Sequence, residues 1–194
     1  MKIFITGIAG FLGSHLAKRL YKLGHTIYGN DNLIGGEKSN IENKEIKFFN
    51  VDCCDLDKMT EITKGMDIVY HCAATAHEGL SVFSPNIITK NIFQASVVTI
   101  TAAIQNKVSR FIYCSSMARY GNQKSPFTEN MTPNPVDPYG IAKVAGEDIL
   151  KTLANLNGME WNIAVPHNII GPNQKYDDPY RNVVSIFINR NLQG

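Results

Sequence analysis

The stretch Lys2-Ile3-Phe4-Ile5-Thr6-Gly7-Ile8-Ala9-Gly10-Phe11-Leu12-Gly13 permits few folds. Its apolar opening reads as a buried strand. Three glycines follow at three-residue spacing. Leu16, Ala17, Leu20 and Leu23 then recur at helical spacing over Ser14 to Leu23. Strand, glycine turn and helix together make an anion site. Gly7 permits the tight turn, Gly10 lets the backbone approach a pyrophosphate, and Gly13 lets the helix pack closely on the strand. The helix N-terminus adds free N–H groups and the positive end of the dipole, and Phe11 and Leu12, between the last two glycines, are counted with the cofactor site. A turn that merely needs positive φ would also explain bare glycines, so later segments must carry the reading.

The second segment supports it. His25 to Asn30 reads as a strand, and Asp31 follows with Asn32 beside it. An acid about two dozen residues beyond the first glycine suits a bond to the ribose hydroxyls. Its charge would repel a 2′-phosphate, which favours NAD over NADP. Asp-Asn is also good turn chemistry. Further strands are expected at Ile46–Val51, Asp67–His71, Arg110–Cys114 and Trp161–Val165. Helices are expected at Leu56–Lys64, Ile87–Gln105, from Pro138 to about Leu156, and Val183–Leu192. The long one carries Ile88, Ile92, Ala95, Val98 and Ala102 on one stripe. Thr75–Pro85, Gln123–Pro138 and Asn173–Asn182 read as irregular. His77 and Glu78 lie in the first of these, where substrate contact and a plain surface loop explain them equally well. His71 reads as a packed strand-end histidine.

Composition excludes other classes. A chain of 194 residues with 44% hydrophobic and 19% charged residues suits one globular domain. A net charge of +2, with scattered Lys and Arg, gives no footprint for nucleic acid or a membrane surface. No apolar stretch is expected to reach the length of a membrane span, and no signal peptide is read at the N-terminus. The four cysteines (Cys53, Cys54, Cys72, Cys114) form no C-x-x-C pair, so no metal site is expected. They suit a reducing cytoplasm.

The chemistry is carried by Ser115-Ser116-Met117-Ala118-Arg119-Tyr120-Gly121 and by Pro138-Tyr139-Gly140-Ile141-Ala142-Lys143. Tyr139 and Lys143 stand four apart at the start of a helix and share a face. An ammonium beside a phenol favours phenolate, which would make Tyr139 a base. With the glycine turn and with Pro166-His167-Asn168-Ile169-Ile170-Gly171-Pro172, the chain resembles the extended short-chain dehydrogenase/reductases. The likeness is to their NAD-dependent epimerase/dehydratase branch, in particular the UDP-sugar 4-epimerases. Val165, Pro166 and His167 depart from the arginine and aromatic common before this asparagine in that branch.

The resemblance implies an α/β fold, a doubly wound parallel sheet of Rossmann type with helices on both faces. It implies that Ser116, Tyr139 and Lys143 are catalytic. It assigns Asp52 to the adenine amino group, although a helix N-cap explains that residue nearly as well. Ala73 and Ala74 would let the cofactor lie against the backbone. Asn91 would hold the catalytic lysine through its backbone and water, and Asn168 would contact the phosphates of a nucleotide-sugar substrate. It further implies NAD as cofactor, a homodimer, and residues 1–165 as the cofactor domain with 166–194 opening a substrate region. Members of the branch run on well past this length. The small substrate domain is therefore expected to be mostly absent, the last helix to show an unpartnered apolar face, and the chain to be less stable than a complete member, with dimerisation or aggregation. Met117 and Ala118 stand where dehydratases and decarboxylases of the branch carry acids, which favours epimerisation or simple reduction.

Overall fold

The fold is that of a computed structural model, in which residues 1–41, 43–172, 174–175 and 183–193 are described. Six strands form one sheet: β1 (Lys2–Thr6), β2 (Thr26–Asp31), β3 (Lys47–Asn50), β4 (Ile68–His71), β5 (Arg110–Cys114) and β6 (Glu160–Ala164). Every pairing is parallel, in the order β3-β2-β1-β4-β5-β6. Parallel neighbours need crossovers, and helices supply them. The chain winds outward from β1 in one direction and then, from β4, in the other. That reversal opens a crevice at the carboxyl ends of β1 and β4.

β1 shows how the core is built. Successive side chains on a strand face opposite ways. Ile3 and Ile5 join Ile8, Ile27 and, from α1 (Phe11–Lys22), Ala17 and Leu20. Phe4 faces the other side. There it packs with Val69, Phe111, Met59 of α2 (Leu56–Ile62), Ile100 of α5 (Ala95–Gln105) and Leu150 of α6 (Pro138–Asn157). Both faces are thus covered, as expected of a doubly wound sheet.

Element ends differ from the sequence reading by a few residues. α1 starts at Phe11, with Gly10 as its N-cap, instead of at Ser14. Leu23 is the C-cap and is 56% exposed, so it leaves the apolar stripe to Ala17 and Leu20. The segment 75–85 contains a short helix, α3 (Glu78–Ser81). α4 (Pro85–Thr89) runs through a π turn (Lys90–Gln94) into α5.

This run corrects one expectation. Pro85–Gln105 is long and apolar enough, by length and composition, to cross a membrane. Ile88, Ile92, Ala95, Ile100, Ala102 and Ala103 are nonetheless all buried against the sheet and its neighbouring helices, so its hydrophobicity is that of a core element. α7 (Val183–Gln193) exposes Val184, Phe187 and Ile188, as its stripe predicts. The turn-rich segment expected at Asn173–Asn182 lies outside the described residues except for Gln174 and Lys175.

Candidate active site

A cleft of about 490 Å³ runs along the carboxyl edge of the sheet. At one end is the glycine turn. Gly7 has φ +67, and a Cβ there would lie 2.9 Å from the backbone of Ala73, just beyond β4. A Cβ on Gly13 would meet the Gly7 carbonyl oxygen at 2.1 Å. No side chain can occupy either place. α1 therefore begins tight against β1. Its first turn carries no side-chain cap and no acidic residue, and Phe11, Leu12 and Gly13 of that turn line the cleft.

Two carboxylates frame the next stretch. Asp31 is 7% exposed and accepts hydrogen bonds from the Ala9 N–H (3.1 Å) and the Leu33 N–H (2.8 Å). Burial raises its pKa, and these backbone donors offset part of the rise. Asp52 accepts from the Cys54 N–H (2.8 Å) and from the Asn32 side chain (3.2 Å). Partial burial works against its charge, but these donors and the Lys90 ammonium prevail and lower its pKa. It is not a helix N-cap. Asp55 has that place on α2, accepting from the Lys58 N–H at 3.1 Å.

Beneath the middle of the cleft lies a chain of buried hydrogen bonds. Thr6 Oγ1 accepts from the Ala73 N–H (3.1 Å) and shares a hydrogen bond with His71 Nδ1 (2.8 Å). His71 Nε2–H then donates to Ser96 Oγ (3.1 Å), whose hydroxyl donates to the Ile92 carbonyl in the π turn. Burial, followed by the Lys143 charge, lowers the His71 pKa to about 3, so it stays neutral. The packed reading of His71 holds. In the same turn Asn91 donates to Thr75 Oγ1 at 2.9 Å. Burial lifts all four thiols above their ordinary range, Cys53 to about 12 and Cys54 to about 11, and none is in a disulfide.

At the far end α6 brings Tyr139 and Lys143 to the cleft, 8% and 2% exposed. Asp137 caps this helix by accepting from the Gly140 N–H at 2.9 Å. The Lys143 Nζ donates to the Cys114 carbonyl at 2.7 Å and lies 6.0 Å from the Tyr139 ring centre. Burial disfavours its charge, but the neighbouring Tyr113 and Tyr139 outweigh that and raise its pKa, so it is a cation. Ser116 begins a 3-10 turn (Met117–Tyr120), its Oγ accepting from the Ala118 N–H at 3.2 Å. The hydroxyl proton is left for another acceptor. Asn168 has φ +45 and contacts His167 Nε2 at 3.2 Å, in a segment tied to α1 by His15 and the Pro172 carbonyl (2.8 Å).

Every residue singled out in the sequence for cofactor, substrate or catalysis lines this one cleft. His77 and Glu78 line it too. Sequence reasoning missed Thr75, the loop Ile34-Gly35-Gly36, and the lining residues Gln174 and Lys175. It also missed Glu147, whose one signal was a carboxylate on the buried stripe of α6.

A family model described as the NAD dependent epimerase/dehydratase family matches residues 3–194. The chain belongs to that family. Its cofactor is NAD, and the glycine cradle, which any Cβ would fill, fits a dinucleotide. Among relatives of this family member, a putative UDP-glucose 4-epimerase from Methanocaldococcus jannaschii is 34% identical over 99% of the chain. The crystal structure of UDP-glucose 4-epimerase with UDP-glucose from Thermotoga maritima matches with a TM-score of 0.94 at 32% identity, over the whole chain. That of Thermus thermophilus UDP-glucose 4-epimerase with NAD gives 0.93 at 30%, also over the whole chain. The chain spans 63% of the length of each of the three.

Proposed function

We propose that the chain is the NAD-holding portion of a nucleotide-sugar epimerase that inverts a sugar carbon, C4 in the simplest case, through a transient 4-keto sugar. Residues 1–165 form the cofactor domain, and 166–194 open the substrate region. The observation that carries the reading is the convergence of Ser116, Tyr139 and Lys143 on the cleft that the glycine turn closes at its other end.

The N–H groups of Phe11, Leu12 and Gly13 would hold the cofactor pyrophosphate. Asp31 and Asn32 would hold the adenosine ribose, Asp52 the adenine, and Lys143 the nicotinamide ribose, with Ala73, Ala74 and Asn91 forming the floor. When bound, NAD supplies a reversible hydride acceptor. Tyr139, whose ring centre lies 6.0 Å from the Lys143 Nζ, takes the proton of the sugar hydroxyl. Ser116 donates its hydroxyl proton to the same oxygen and fixes its position. Asn168 would bind the substrate phosphates. The free, protonated cysteines suit a cytoplasmic enzyme. A homodimer would cover some of the exposed Phe83, Ile87 and Ile141.

Dehydration and decarboxylation also occur in this family's chemistry. Met117 and Ala118, which follow Ser116 into the 3-10 turn, carry no group able to transfer protons. Epimerisation is the better fit. The complete chain, incubated with UDP-glucose or UDP-N-acetylglucosamine and followed by NMR, should yield the 4-epimer. A 4-keto-6-deoxy product without epimer would refute this. Cofactor retained without any conversion would select a second reading, a binding module without turnover.

A further inference from the structure

Behind the catalytic end lies a charged cluster that the proposed mechanism does not use. Glu147 stands four residues beyond Lys143 on α6, on the same face, and is fully buried. One of its oxygens accepts a close hydrogen bond from the Ser115 hydroxyl. The other pairs with the Arg119 guanidinium at 3.1 Å and with Lys151 at 3.7 Å. Ser115 and Arg119 are buried as well, and Arg119 Nε has no hydrogen-bond partner among the described residues. Ser115 and Arg119 flank the short segment that carries Ser116.

We propose that Glu147 is a positioning residue, holding Ser116 in register with Tyr139 and Lys143 by gripping the chain on both sides of it. The grip is local. The Ser115 bond fixes the residue before Ser116. The Arg119 pair closes the turn after it, which is drawn tight by the Arg119 N–H donating to the Ser116 carbonyl (3.2 Å). Because Tyr139, Lys143 and Glu147 share one rigid helix, the three points of the site move as one body. Burying so much charge is a poor way to gain stability, since an apolar cluster of equal volume serves as well. Geometry is what the charges add. The inference rests on the proposed function for its kinetic part only.

The test uses the complete chain with Ser115→Ala, Arg119→Met and Glu147→Leu combined. That variant leaves no buried charge or hydroxyl of the cluster unpaired, and Lys151 can turn to water. It should melt near the parent temperature and bind NAD within about threefold of it. Turnover of the UDP-sugar should nevertheless fall about a hundredfold, because a misplacement near 1 Å has that effect. Adding Ser116→Ala to it should cost under about threefold more, whereas Ser116→Ala alone costs much of the hundredfold. Hydrogen exchange at the Met117, Ala118 and Arg119 amides should quicken about tenfold or more. If the triple variant does not fold, Glu147→Gln is read the same way. Parent-like turnover or parent-like exchange in a folded variant overturns the proposal. If the parent converts no UDP-sugar, the proposed function fails and exchange alone decides the positioning role.

Discussion

The two ends of the cleft are made of different material. The dinucleotide end is backbone: a turn in which Gly7 and Gly13 exclude side chains, an uncapped helix start, and a buried carboxylate, Asp31, held by two main-chain N–H groups. The Tyr139 end is side chain: a buried lysine on a carbonyl, a tyrosine beside it, and a carboxylate and a guanidinium packed behind them. Backbone geometry is fixed by local sequence and tolerates no added atom. Side-chain geometry depends on segments far apart in the chain and tolerates isosteric change, though its chemistry does not.

The sharpest way to break that contrast is Gly13→Val. With the Gly7 carbonyl 2.1 Å from the new Cβ, neither backbone can yield without parting α1 from β1. The loss should exceed about 4 kcal/mol, beyond ordinary overpacking. Urea melts should show no native baseline at 25 °C. A folded variant that retains NAD would show the turn to be soft. Tyr139→Phe is the converse. It removes one oxygen from a residue that is 8% exposed. Stability and NAD affinity should stay within about 0.5 kcal/mol of the parent, while turnover falls about a thousandfold. Turnover and calorimetric titration on the same preparation check both halves.

The same contrast explains what the sequence disclosed. The glycine turn, the six strands and the Tyr139–Lys143 pair are each written in a dozen contiguous residues, and each was legible. The π turn at Lys90–Gln94 was not, because its residues alternate as an ordinary helix would and only the shift in hydrogen bonding marks it. The Ser115–Glu147–Arg119 cluster was not, because Glu147 lies 32 residues beyond Ser115 and 28 beyond Arg119 and meets them only when α6 docks on the end of β5. Asp52 shows a third case. Of the two readings of that acid, the structure removes the helix cap, which Asp55 supplies to α2.

Between the two ends, His71 offers a pH test. Unfolded, a histidine takes its proton near pH 6.5; folded, this one waits until about 3. Between those values the unfolded state binds the extra proton, so stability rises with pH, is complete above about 6.5, and is lost as pH falls. The slope is about 1.4 kcal/mol per pH unit. His71→Gln should be less stable at pH 7, having lost buried hydrogen bonds, but should lack this slope. By pH 5 its deficit should have narrowed by about 2 kcal/mol. A deficit that stays constant from pH 7 to 5 in urea melts would mean that His71 takes up its proton as readily in the folded chain as in the unfolded one.

Asp31 carries the smallest effect and tests whether the backbone end also reads its ligand by charge. The carboxylate has two duties that the structure superimposes: it ties the turn through Ala9 and Leu33, and it faces the cleft where a ribose would lie. Asp31→Asn keeps one acceptor oxygen, sets an N–H against one of the two backbone donors, and removes the charge. If the acid only ties the turn, NAD and NADP should weaken by the same factor. If it also bonds the ribose hydroxyls, NAD should weaken about tenfold while NADP, freed from repulsion, holds or improves, because one lost charge-assisted bond is worth roughly that factor. Competition titration of the two cofactors therefore measures a ratio from which any loosening of the turn cancels.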